Sequence, residues 1–247
     1  MTALAGVRGV LFRELRIYRR RWTKHLASYT VSPLLFLVVF GWGVGRHVEM
    51  EGVGYLAFML PGLATMAAMT QSYGTATEIN ISRFYWRIFE EFQMAPVPAW
   101  EIALGEVLYG MLRGIAAAAV VYVLAFAFGA SLPLSAPALG LFGLHTFAFA
   151  SAAVAAAMVV RSHADQGHIN TFFIVPMSFL CGTFFPLDRL PGWAEAAAWL
   201  LPLTHSSLAI RAVALGRPVP LLHVAVLAGF AALFFALAVW SVRRASA

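Results

Sequence analysis

The sequence predicts an all-α integral membrane protein. Its expected form has six transmembrane helices, an N-terminal amphipathic interfacial helix and a re-entrant helical hairpin between spans five and six. Three observations carry this. The chain is 61% hydrophobic and 11% charged, against about 25% charged in an ordinary soluble domain, and its mean hydropathy is +0.80. Its apolar residues gather into runs near the ~20 residues that a bilayer requires. Its arginines crowd into alternate loops, the signature that sets orientation.

Residues 7–25 place Val7, Leu11, Leu15, Tyr18 and Trp22 at helical spacing, with Arg13, Arg16, Arg19, Arg20 and Lys24 on the remaining arc. That pattern is an amphipathic helix lying in the interface, with arginines on anionic headgroups and the stripe in the acyl boundary. The alternative is a plain basic flank to the first span. Of the 17 Lys and Arg, 7 precede residue 25, so the net charge of +6 reads as a membrane flank and not a nucleic-acid footprint. A secretory signal peptide is not expected, because the basic region and the apolar run are both long.

The first span is expected at about 28–45, the second at 55–77, the third at 103–128 and the fourth at 138–160. The fourth is rich in Ala and Ser, which permits close helix approach in lipid. Residues 161–168 read as a short internal loop, and the fifth span starts near Ile169 and bends at Pro176. The sixth runs from about 219 to 240. With the N-terminus inside, thirteen cations fall inside and only Arg46, Arg189, Arg211 and Arg217 outside. Both termini are therefore expected on the cytoplasmic side.

Pro176, Pro186, Pro191 and Pro202 cut the stretch from 176 to 216 into pieces too short to cross a membrane. Proline removes a backbone donor and clashes with the preceding turn. Broken backbone at membrane depth persists only against protein or beside a wet cavity. Residues 184–203 are thus expected as two short helices that dip in from outside and return.

Chemistry that is missing narrows the function. The only lysine, Lys24, is followed by His25, so there is no phosphate-binding G-x-x-x-x-G-K-[ST] loop. Neither H-E-x-x-H nor G-x-S-x-G occurs. His163, Asp165 and His168 form a loose trio on the expected loop, read as solvated and not as a metal site. The single cysteine, Cys181, excludes an intrachain disulfide. The polar insertion 78–101 carries Phe84, Ile88 and Phe92 on one side and Arg83, Arg87, Glu90 and Glu91 elsewhere. A short amphipathic helix stopped by Pro96 and Pro98, able to dock on a cytosolic partner, fits it; a solvated linker is the alternative. Ionisable residues within spans are functional candidates by default. They are His145, a pore-facing or packing histidine, with Glu106 and Arg113 near enough to the inner end to snorkel.

These motifs carry a resemblance. FLCGTFFPLDRLPGW followed by LLPLTHSSLAIRAVALG, together with EEFQMAPVPAWEIALGE, resembles the type 2 ABC transporter permeases over nearly the whole chain. YLAFMLPGL and PLTH make it most similar to the nodulation-factor exporter (NodJ-like) group. The resemblance implies a single permease domain over 1–247, with 1–27 as the cytoplasmic helix, 78–101 as the coupling loop and 184–203 as the extracellular gate. It implies a non-enzymatic subunit of an exporter in the bacterial inner membrane, moving a lipid-linked oligo- or polysaccharide or a similar amphiphile. The chain would bind no cofactor; ATP and Mg would sit on separate ABC ATPase subunits. A permease homodimer and membrane lipids are the other implied partners, with no nucleic acid.

By the same resemblance Arg83, Phe84, Arg87, Ile88, Glu90 and Glu91, with Arg161 and Asp165, would contact the ATPase. Phe185, Pro186, Leu187, Leu190, Pro191 and Trp193 would form the gate. Efflux of drugs or other small hydrophobic molecules, an intramembrane enzyme and a scaffold subunit without transport stay open as alternatives.

Overall fold

The computed structural model describes residues 4–44, 48–86, 97–130 and 133–245. Helix α1 (Ala5–Arg20) buries Val7, Val10 and Glu14 on one face and leaves Arg8, Arg16, Arg19 and Arg20 exposed. The expected stripe is divided: Val7 faces protein, while Leu15 and Trp22 are exposed together with Phe12. Arg21 leaves the helical region (φ −115°, ψ 14°) and α2 (Trp22–Phe36) begins, passing into a π-helical turn at Leu37–Val44. A two-stranded antiparallel ribbon follows, β1 (Glu49–Met50) with β2 (Val53–Gly54). Its turn residues Glu51 and Gly52 both have positive φ, 52° and 77°, as a tight type I′ hairpin demands.

Helix α3 (Tyr55–Tyr73) is the hub, with 15 of its 19 residues buried. Gly74 keeps near-helical dihedrals (−58°, −18°), so α4 (Thr75–Phe84) continues the line of α3. Helices α5 (Ala99–Ala127) and α6 (Ala136–Val159) pack against α3. Small residues set these crossings. A Cβ on Gly110 would stand 2.7 Å from the Ala150 Cβ, and one on Gly114 would overlap Ser72 Oγ.

Residues expected as a loop instead form α7 (His163–Ile169). Ser162 accepts from the Asp165 backbone N–H at 3.2 Å, and the Asp165 carboxylate accepts from the Arg161 N–H at 3.2 Å. Such reciprocal capping starts a helix. A π turn at Asn170–Ile174 leads into α8 (Val175–Leu180). The wide turn precedes Pro176, and widening relieves the clash between a proline ring and the carbonyl four residues back.

Beyond α8 the chain breaks as its prolines dictate. A 3₁₀ turn at Leu187–Arg189 follows Pro186, α9 (Gly192–Trp199) follows Pro191, and α10 (Pro202–Ala214) starts on Pro202. Proline is favoured at a first helical position because the donor it lacks is unpaired there anyway. The last helix is α11 (Leu221–Ala245).

Among the described residues, four helices are long and apolar enough to cross a membrane: Trp22–Gly41, Ala99–Ala127, Ala136–Val159 and Leu221–Ala245. The expected second span, α3, carries Thr, Ser and Gln within an almost fully buried helix. The expected fifth is divided among α7, the π turn and α8.

Two ends of the bundle are distinct. The arginine-rich end gathers α1, the end of α4, the start of α5 and the end of α6, tied by Gly6 N–H donating to Glu101 Oε2 at 2.7 Å and Arg83 Nη1 donating to Ala157 O. The hairpin end gathers β1, β2 and the broken segment, tied by Tyr55 OH donating to Phe184 O at 3.1 Å and an Arg217–Glu51 ion pair at 2.7 Å.

Glu106, expected to snorkel, is buried at 5% exposure, and two arginines also sit differently from their sequence expectations. Arg113 does not snorkel: its side chain is 7% exposed, and Nη1 pairs with Glu78 Oε1 at 2.7 Å. Arg211, counted among external cations, is buried against α3. Both find polar partners inside the protein, which removes the drive toward the surface.

Candidate functional site

Two regions hold the residues singled out by sequence. At the arginine-rich end, α4 delivers Arg83 and Phe84, with the Arg83 guanidinium 4.9 Å from the Phe84 ring centre. Phe84, Tyr85 and Trp86 are all exposed large side chains. Alongside lies α7, where Arg161 is exposed and Asp165 serves its cap. Tyr85 meets His163 edge-on at 6.3 Å. Of the expected partner contacts, the structure therefore brings Arg83, Phe84, Arg161 and Asp165 to one end. Arg87, Ile88, Glu90 and Glu91 lie outside the described residues.

What joins the two pieces is Gln166, which sequence reasoning passed over. Its Oε1 accepts from Asn80 Nδ2 at 3.1 Å, and its Nε2 donates to Tyr73 OH at 3.3 Å and Asn170 Oδ1 at 3.4 Å. A buried amide satisfied on both sides welds α4 to α7. The sequence signal was weak: Asn80 and Gln166 are polar residues without a motif. The trio His163, Asp165 and His168 forms no metal cluster, and no set of three or more His, Cys, Asp or Glu able to hold one occurs among the described residues.

Behind α1 the same end contains a cavity of about 50 Å³ lined by Arg13, Glu14, Glu78, Glu106 and Tyr109. Glu14 pairs with Arg13 at 3.1 Å. Burial nonetheless pushes the Glu14 carboxyl above its ordinary 4.5, Arg13 partly opposing. Tyr109 OH donates to Glu78 Oε2 at 2.9 Å, completing a polar set with Arg113.

At the hairpin end, the break opens with Gly182 at φ 72°, a region that favours glycine. Phe184 turns inward, its ring centre 4.9 Å from Phe36, 5.2 Å from Phe40 and 5.8 Å from Phe179. Of the expected gate residues, Leu187 is buried and Phe185, Pro186 and Leu190 are half-buried. Pro191 is exposed, and Trp193 is 76% exposed. Phe184 anchors the segment, and two adjacent phenylalanines could not be told apart without the backbone turn.

Arg211 on α10 holds this region together. Its Nε donates to Phe58 O at 3.1 Å, its Nη2 donates to Gly182 O, and its guanidinium lies 3.9 Å from the Phe58 ring centre. Gly62 makes room: a Cβ there would stand 2.9 Å from Thr183 Cα. Between the ribbon and the broken segment lies an open cavity of about 600 Å³, lined by Glu49, Glu51, Asp188, Arg189, Trp199 and Arg211 among others.

His145, deep in α6, is fully buried. Its Nε2 faces Thr65 O at 3.0 Å and its Nδ1 faces Ser206 Oγ at 2.9 Å. A carbonyl only accepts, so Nε2 donates and Nδ1 is the acceptor. The imidazole thus links α3, α6 and α10.

Comparison with known proteins places this architecture. The family model described as ABC-2 type transporter matches residues 6–215. The chain is 32% identical over 221 residues to Nodulation protein J of Rhizobium meliloti (strain 1021), covering 86% of this chain and 83% of that protein. It is 30% identical over 237 residues to Nodulation protein J of Bradyrhizobium diazoefficiens, covering 91% and 88%. It is 26% identical over 212 residues to the Inner membrane transport permease YadH of Escherichia coli (strain K12), covering 81% and 79%. With apolar helices of spanning length and a family match over most of its length, the chain belongs to the ABC-2 type transporter permeases, the membrane subunits of ABC transporters.

Proposed function

We propose that this chain is the membrane half of an ATP-driven exporter in the bacterial inner membrane. It passes a lipid-linked oligosaccharide or similar amphiphile outward from the cytoplasmic leaflet. Two copies pair across the path, and separate ATPase subunits holding ATP and Mg dock on the arginine-rich end, where α1 starts and α11 finishes. The observation that carries this is the Gln166 weld. It makes the end of α4 and the exposed helix α7 one rigid surface, so a push on either moves both. The substrate class rests on the similarity to Nodulation protein J.

In this reading α3 is the second span and the α7–α8 run the fifth. A central span packed by its neighbours needs less apolar surface than a lipid-facing one. Helices α9 and α10 form the re-entrant hairpin. Within the expected 184–203 lie only the 3₁₀ turn, α9 and the start of α10, and the return limb runs on to Ala214. Leu203, at the foot of α10, packs with Met69 and Phe149 within the bundle, whereas Arg211 reaches Phe58 near the outer start of α3. The hairpin therefore dips and climbs back, and residues 184–203 guard the exit.

The test is reconstitution of the permease with its ATPase subunits in vesicles. Export of a lipid-linked oligosaccharide is expected to depend on ATP, and the chain alone to hydrolyse none. Arg161→Glu should uncouple hydrolysis from export without loss of insertion. Unchanged coupling in that variant removes the docking face. Trp193→Cys in a Cys181→Ala background should label with an impermeant maleimide from outside, and labelling only from inside overturns the topology.

A further inference from the structure

Two imidazoles meet where the return limb of the broken segment touches the last long helix. His205 lies in the first turn of α10 and His223 in the first turn of α11, with their Nδ1 atoms 3.0 Å apart. The other nitrogen of His205, Nε2, faces the Trp199 backbone carbonyl at 3.0 Å. A carbonyl oxygen only accepts, so Nε2 carries the hydrogen and Nδ1 presents a lone pair. That is the support which fixes tautomer and orientation in metal-bound histidines. The Trp199 ring stacks on His223 with centres 5.9 Å apart and planes 17° from parallel, so the second ring is held too. His205 is 8% exposed, while His223 is only partly covered. The pair is thus organised on one side and reachable on the other.

We propose that His205 and His223 form a two-imidazole site for a first-row transition cation, Cu²⁺ or Zn²⁺. Metal–nitrogen distances of about 2.0–2.1 Å put two ligand nitrogens about 3.3 Å apart in the tetrahedral geometry of Zn²⁺ and about 2.9 Å apart at cis positions of the square-planar geometry of Cu²⁺. The observed 3.0 Å lies between the two, so the separation fits, and each ring turns until its Nδ1 lone pair points at the cation and not at the other nitrogen. In the metal-free pair His223 donates its Nδ1 hydrogen to His205. When the cation takes both Nδ1 lone pairs, that hydrogen moves to Nε2 of His223, so the neutral pair binds without net proton release. No third His, Cys, Asp or Glu completes the set among the described residues, so water fills the other positions. Nitrogen-only ligation favours Cu²⁺ over Zn²⁺ and disfavours Mg²⁺ and Ca²⁺. Neither the transport function nor the ATPase contacts requires this site. Its effect would be to staple α10 to α11.

The experiment uses the full chain, purified in detergent through a tag without histidines. Cu²⁺ titration followed by electron paramagnetic resonance is expected to show one site with coupling to two nitrogens, and calorimetry a weaker Zn²⁺ site. His223→Ala, at a partly covered position, should weaken binding by more than about tenfold, while His163→Ala at the far end should leave it unchanged. If the alanine variant is not monodisperse, His223→Asn repeats the test with a closer match in size. Binding that survives loss of His223, or no Cu²⁺ uptake by the unaltered chain, overturns the proposal.

Discussion

The pairing of Arg113 with Glu78 makes a quantitative prediction about a charge inside the bundle. Arg113 Nη1 forms an ion pair with Glu78 Oε1 at 2.7 Å, its Nη2 donates to Gln71 Oε1 at 3.0 Å, and its side chain is 7% exposed. The Glu78 side chain is 36% exposed, so water reaches one partner and not the other. Removing the partner of a buried ion costs ~3–5 kcal/mol. Glu78→Gln keeps an acceptor and leaves Gln71 in place, so it is expected below that range, at about 2.5 kcal/mol. Arg113→Met removes the buried charge itself and leaves Glu78 partly solvated and bonded to Tyr109, for about 1 kcal/mol. The double variant has no charge to strand and is expected at about 1 kcal/mol. The singles sum to about 3.5 kcal/mol, so the coupling energy is about 2.5 kcal/mol. Equilibrium unfolding in mixed detergent–SDS micelles measures all four proteins. Additivity within about 0.5 kcal/mol would mean that the pair contributes nothing, and the account of Arg113 as held by Glu78 would fail.

Further predictions rest on four single positions. Gly114→Ala should destabilise by ~1–3 kcal/mol, since the new Cβ overlaps Ser72 Oγ and stands 2.6 Å from Thr146 Cγ2. Gly143→Ala, with nothing within 4 Å, should instead stabilise by ~0.5–1 kcal/mol through helix propensity, and thermal unfolding separates the two. Arg211→Lys keeps the buried charge but gives up the two-armed grip on Phe58 O and Gly182 O, a loss of ~1.5–3 kcal/mol; an unchanged melting temperature refutes it. Burial raises the Glu14 carboxyl above 4.5, so the native state holds that proton more tightly than the unfolded chain. Stability should then be greatest at or below the ordinary value and fall as pH rises through the raised one. Glu14→Gln should flatten that fall, and parallel melting curves from about pH 4 to about pH 8 would contradict it.

Helices defined by local signals were legible in the sequence. The apolar runs of α2, α5, α6 and α11 carry their own length, and the prolines mark where the chain must break. Features made by distant partners were not. Glu78 and Arg113 are joined by the line of α4 beside α5, and no periodicity in either stretch reports it. Arg211 counts as an external cation in the sequence because a count sees charge and not the carbonyls of Phe58 and Gly182. Helix α7 was readable in principle: Ser162 three residues before Asp165 is a start signal, masked by a segment too short to show periodicity. At the candidate site, local composition pointed to Arg83, Phe84 and the proline-broken stretch. Gln166 and Phe184 needed the fold to acquire meaning.

The guanidinium of Arg211 clasps two backbone carbonyls that belong to different parts of the chain. One lies in α3, whose 19 residues continue through Gly74 into the 10 of α4. At 1.5 Å per residue that line is a rod of about 45 Å. Its far end rests on Ala157 through Arg83, on the surface shared with α7. The rod is thus pinned at both extremities by arginine, to a bend at one end and to a neighbouring helix at the other. Between those ends the rod can give at two places, Pro61 within α3 and Gly74 at its junction with α4. The two arginine anchors therefore leave bending to those two residues, and a change at Pro61 or Gly74 alters how the two ends sit without touching either anchor.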